Sequence, residues 1–168
     1  MALLEADQIL ACLERHRVRY VVIGGVAAVL HGSPQATFDA DICPAREPSD
    51  LAALALALRE MKARIRAPDV PEGLPFACDA VFLASVNLLN LVTVFGDLDL
   101  AFTPSGTGGY ADLSSRAVQM PLQGFTVPVA ALEDVIRSKE AANRPKDQRT
   151  LPLLRQLLAE IRARRERE

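Results

Sequence analysis

Tyr20-Val21-Val22-Ile23-Gly24-Gly25-Val26-Ala27-Ala28-Val29-Leu30-His31-Gly32, followed a few residues later by Phe38-Asp39-Ala40-Asp41-Ile42, is the stretch that decides the fold. Val21 to Ile23 is short, apolar and β-branched, the pattern of a buried strand. Gly24-Gly25 permits a tight turn and close approach of backbone to a ligand. The Val26–Leu30 run that follows predicts a short helix whose first amides face whatever lies beside the glycines, an arrangement that favours an anion. Gly32 and Pro34 stop that helix.

The second half of the stretch predicts another strand. Residues two apart share a face, so Asp39 and Asp41 project together, and Phe38, Ala40 and Ile42 are expected to point into the core. Two neighbouring carboxylates repel, and both stay ionised best around a divalent cation. An anion-binding helix start facing a carboxylate pair is what a nucleoside triphosphate with magnesium requires.

Strand, Gly-Gly, helix and Asp-x-Asp in this order resemble the nucleotidyltransferase superfamily that includes DNA polymerase beta. More narrowly, Ile23-Gly24-Gly25-Val26-Ala27-Ala28, Leu30-His31-Gly32 and Thr37-x-Asp39-x-Asp41 look like small bacterial nucleotidyltransferase-like proteins related to AbiEii-type toxins. Gly96-Asp97-Leu98-Asp99-Leu100, the Pro104–Tyr110 loop and Lys139 with Arg144-Pro145-Lys146-Asp147 extend the resemblance from about Tyr20 to Leu158. One position departs from it, since Gln35 stands where such relatives usually carry arginine.

The resemblance implies a magnesium-dependent enzyme that moves a nucleoside monophosphate from a nucleoside triphosphate to an acceptor hydroxyl. The acceptor classes it leaves open are RNA such as tRNA, protein or a small molecule. A toxin-antitoxin role with an antitoxin partner, or an inactive binding module of the same fold, are the alternatives it carries. Asp39 and Asp41 are expected to hold two magnesium ions. A third carboxylate is needed to complete the hydroxyl-activating shell. Asp99, flanked by Leu98 and Leu100 inside a predicted strand, is favoured for this over Asp97, which is read as part of a turn. Gly24 and Gly25 are expected to contact the phosphates, and Thr37 to position the acid strand or the nucleotide. Lys139 and Lys146 are read as nucleotide-binding cations; the other reading has Arg144 and Lys146 pairing with Asp134, Glu140 or Asp147 at a helix joint.

The rest of the 168-residue chain supports one domain, with a core at about 18–129 and C-terminal helices at about 130–163. Half of the residues are hydrophobic and the net charge is −2, so no global basic field recruits nucleic acid. Cys12, Cys43 and Cys78 are an odd, widely spaced set without zinc spacing, as expected of reduced thiols in a cytoplasmic protein. Met1-Ala2-Leu3-Leu4 runs directly into acidic, helix-like sequence with no signal-peptide pattern, and no apolar run is long enough to span a bilayer.

Leu3–His16 predicts an amphipathic helix. A third helix is expected from a Ser49 or Asp50 cap to about Ala63, then a loop over Ala67–Gly73 and a short helix within Phe76–Ala84. Val86–Phe95 and Leu98–Phe102 read as a hairpin, and Ala117–Leu122 with Phe125–Val129 as another. The Ser105–Tyr110 loop is a candidate pocket wall, with Tyr110 as a stacking surface. A helix with Lys139 and a last one at Leu151 to about Ile161 form a C-terminal helical pair. The predicted class is α/β, or α+β by stricter naming: a mixed sheet of about five strands with helices packed on it, in the nucleotidyltransferase fold.

Overall fold

The computed structural model describes residues 3–168; Met1 and Ala2, within the stretch read for a signal pattern, lie outside the described residues. The elements in chain order are α1 (Ala6–Arg15), β1 (Tyr20–Ile23), α2 (Gly24–Leu30), β2 (Asp39–Pro44), α3 (Pro48–Glu60), β3 (Arg64–Ala67) and β4 (Val70–Leu74). They continue with α4 (Ala80–Ala84), β5 (Leu88–Thr93), β6 (Gly96–Ala101), α5 (Tyr110–Ser114), β7 (Val118–Leu122), β8 (Phe125–Val129), α6 (Leu132–Ala142) and α7 (Pro145–Arg167). Among the described residues no helix is long and apolar enough to cross a membrane.

One mixed sheet of eight strands runs β4-β3-β5-β6-β2-β1-β8-β7. Eight replaces the expected five or so, and the largest single source of the difference is β3–β4. Pro68, Pro71 and Gly73 make that segment read as a loop, yet it folds into an antiparallel hairpin at the sheet edge, where proline is tolerated. Its turn places Asp69 at φ 66, a conformation Asp adopts more readily than most residues.

At the sheet centre β2 lies parallel to β6 and antiparallel to β1. Strand alternation then sorts the side chains. Ala40, Ile42, Leu98 and Leu100 are buried in the core, while Asp39, Asp41, Asp97 and Asp99 share the opposite face. The core side also takes Ile9, Leu10 and Leu13 of α1 and Leu51, Leu54 and Leu58 of α3. Each fully buried Leu or Ile contributes about 1.5–3 kcal/mol, enough to hold the sheet rigid behind the acids. Leu56 of α3 is exposed.

Several boundaries differ from the sequence reading. Phe38 is 82 % exposed rather than in the core, because it precedes the first paired residue of β2 and its direction is not set by the pleat. The β5–β6 turn is Val94-Phe95, tightened by Thr93, whose hydroxyl donates to the Gly96 carbonyl at 2.7 Å, so Asp97 belongs to the strand. Helix α3 starts from Glu47, with Pro48 in the first turn and Asp50 accepting the Glu47 N–H at 3.2 Å. Helix α7 starts at Pro145, earlier than Leu151, because Pro145 suits a first helical position and Asp147 caps the Arg144 N–H at 3.1 Å.

Candidate active site

The acid face of β2 and β6 floors a cleft of about 870 Å³, walled by the β1–α2 turn, the Thr103–Thr107 segment and the α6–α7 joint. Parallel pairing sets Asp39 beside Asp97 and Asp41 beside Asp99. Carboxylate oxygens of Asp39, Asp41 and Asp99 lie within 4.8 Å of one another. Burial, then the charges of Asp39 and Asp99, push the Asp41 carboxyl up to about 8. Burial also raises Asp99, only partly countered by Arg66. Crowding of like charges and burial thus disfavour ionisation of these carboxyls.

The glycines explain how the β1–α2 turn clears this face. Gly24 has φ +65, and a Cβ there would collide with the Asp41 carboxylate. A Cβ on Gly25 would stand 2.7 Å from Thr37 Oγ1. Thr37 in turn donates its hydroxyl to the Asp39 carbonyl at 3.0 Å, fixing the entry to β2. Gly24, Gly25 and Thr37 all line the cleft, as do Lys139 and Lys146.

The two lysines differ. Lys139 lies 3.5 Å from Asp147, a fully buried carboxylate also held by Arg144 at 2.8 Å. The helix-joint alternative, read for Arg144 and Lys146, thus applies to Arg144, and Lys139 rather than Lys146 shares its carboxylate. Lys146 has no ion-pair partner among the described residues, and its charge acts on Asp41. His31 bonds the Ala130 carbonyl at 2.8 Å and joins α2 to the start of α6. Tyr110 turns away from the cleft: the Arg19 guanidinium lies 5.6 Å from its ring centre, and it lines a separate hollow with Glu14 and Tyr20.

Sequence reasoning missed Arg66 and Asn90. Arg66 projects from β3 onto the acid face, where it donates to Asp99 at 2.8 Å and to the Leu91 carbonyl at 3.0 Å and sits 3.2 Å from Asp97. Asn90 is the direct cross-strand partner of Asp99. The alternation Arg64-Ile65-Arg66 before Pro68-Asp69 was the available signal for the first, and the hairpin register for the second.

A hard divalent cation fits this donor set, which is three carboxylates with no nitrogen or sulfur donor. The other candidate trio, Cys12, His16 and Glu60, is a satisfied network. There Cys12 Sγ and Arg15 each donate to Glu60 at 2.7 Å, and burial pushes the thiol up to about 12.

No protein-family model matches the sequence, and no curated protein does. Solved structures do match the fold. The lincosamide antibiotic adenylyltransferase LnuA, solved with lincomycin, aligns at TM-score 0.62 and 17 % identity over 94 % of this chain and 99 % of its own. A nucleotidyltransferase candidate from Thermotoga maritima aligns at 0.56 and 17 % over 95 % and 97 %. The antibiotic-resistance factor ANT(2'')-Ia aligns at 0.53 and 14 % over 95 % and 90 %. The chain shares its fold with these three structures.

Proposed function

We propose that the protein is a metal-dependent nucleotidyltransferase acting at the Asp39–Asp41–Asp99 face. The carrying observation is that three under-neutralised carboxylates converge at the floor of a cleft in this fold. In the reaction the acceptor oxygen attacks the α-phosphorus, the bond to the β-phosphate oxygen breaks, and pyrophosphate leaves. Asp39 and Asp41, with Asp99 beside them, would hold magnesium, which when bound neutralises the triphosphate and lowers the pKa of the attacking hydroxyl. Gly24 and Gly25 let the triphosphate approach the backbone beside Asp41. Thr37 holds β2 in register, and Lys146 supplies charge from the opposite wall.

Among acceptors, a small hydroxyl-bearing molecule with an apolar part is favoured over tRNA or protein. Exposed Phe38 and Leu88 line the cleft beside Asn87 and Asn90, and two of the similar structures are named for antibiotics. The AbiEii relation and an antitoxin partner are supported by the motif resemblance; their test is a neighbouring small repressor-like reading frame that suppresses toxicity.

The test is incubation with each of four α-labelled nucleoside triphosphates, magnesium, and pools of small metabolites, antibiotics, RNA and protein. Label transfer that vanishes in Asp39→Asn/Asp41→Asn is the expected result. Equal transfer by the double variant overturns the assigned site. Nucleotide binding without transfer to any pool selects the inactive-module reading instead.

A further inference from the structure

Four aspartates share the acid face, but they are not compensated alike. Arg66 spans the two that β6 presents, at 2.8 Å from Asp99 Oδ1 and 3.2 Å from Asp97 Oδ2. The Leu91 carbonyl accepts from the same guanidinium at 3.0 Å, which locks its direction. This placement follows from register: Arg64 pairs with Val92 and Val92 with Asp97, so Arg66, two residues on, shares their face. Asp39 and Asp41, on β2, have no arginine among their ion-pair partners in the described residues. Arg66 is paired with Asp97 and Asp99, and the Lys146 charge acts on Asp41. The β6 pair is thus already held by a side-chain cation, and the β2 pair is the one left open to a divalent ion.

We infer that Arg66 occupies the place of a second metal ion: the site takes up one divalent cation, between Asp39 and Asp41, and the Arg66 guanidinium neutralises the third carboxylate. This rests on the reading of the cleft as a nucleotide site. Arg66 acts here as a positioning residue that fixes how many ions the acids accept. A guanidinium suits the task because its planar fork satisfies a carboxylate directionally and stays charged at any working pH.

The experiment is equilibrium dialysis of the full chain against Mn²⁺ and a non-hydrolysable nucleoside triphosphate, counting excess manganese and excess nucleotide per chain. Wild type is expected to retain one manganese per bound nucleotide, Arg66→Met two, and Arg66→Lys one. Two in wild type overturns the inference and leaves the nucleotide site standing. One in both wild type and Arg66→Met also overturns it. No retained nucleotide or manganese in either overturns the underlying reading as well. Should Arg66→Met fail to fold, Asp99→Asn decides: an unchanged count of one supports the inference, and a fall from two to one contradicts it.

Discussion

Two groups of aspartates, one on the cleft floor and one at the helix joints, are treated oppositely. At the α5–α6 joint, Asp112 and Asp134 face Arg116 and Arg137, with contacts of 2.7–3.1 Å. Asp147, at the head of α7, faces Arg144 and Lys139. There each acid has its cation, and the carboxyls of Asp112 and Asp147 are held below the usual range. For Asp112 the Gly108 N–H and Arg116 do this; for Asp147 the hydrogen bonds from Arg144 outweigh burial. On the β2–β6 face the same residue type is crowded and short of cations, and Asp41 and Asp99 rise. Acids that hold the fold together arrive paired. On the acid face Arg66 is shared between Asp97 and Asp99, and Asp39 and Asp41 have no ion-pair partner among the described residues.

The contrast breaks most sharply under substitution. Asp41→Asn is expected to lower transfer activity by about 10²–10³-fold, the scale of losing one preorganised electrostatic contact, while melting temperature holds or rises as repulsion is relieved. Steady-state rates and a thermal melt on the same preparation check both. Asp147→Asn should do the reverse to stability, costing about 1–3 kcal/mol through lost charge-assisted hydrogen bonds and a weakened cap, read by denaturant unfolding. Gly24→Ala should cost about 1–2 kcal/mol from its left-handed backbone, and more where the new methyl displaces Asp41. Its sharper readout is weakened Mg²⁺-dependent nucleotide affinity.

The remaining contrast is a pair of opposed pH slopes. Asp41 titrates higher folded, about 8, than unfolded, about 3.9, so its contribution is full below pH ~4 and fades as pH rises toward 8. Asp147 titrates lower when folded, so its contribution is present above pH ~4 and fades as pH falls below that. Metal-free melts should therefore lose stability on the alkaline side in wild type, and the Asp41→Asn melts should not. Added magnesium should flatten the wild-type slope, because it binds the ionised carboxylates.

The half of the cleft built by β1, α2 and β2 was legible because period-two alternation, a double glycine and a buried central position all point the same way. Asp99 was legible for the same reason, lying between Leu98 and Leu100 in a central strand. The Arg66 edge was not. Prolines and glycine mask β3–β4, whose pairing is set by β5 rather than by its own propensity. Phe38 was misplaced because alternation was extended one residue beyond the ladder. The Lys139–Asp147 segment showed three cations but not their directions. Only the start of α7 at Pro145 decides that Asp147 turns inward and Lys146 faces Asp41.

The central claim is that the under-neutralised acids hold a cation together with a nucleotide. Its most direct test is the affinity of each of the four nucleoside triphosphates, with and without magnesium, for wild type, Asp39→Asn/Asp41→Asn and Asp147→Asn. At least one nucleotide should bind wild type in a magnesium-dependent way. The double variant should lose that dependence, and Asp147→Asn, if folded, should keep it. Magnesium-independent binding in wild type, or magnesium dependence that survives in the double variant, would contradict the account.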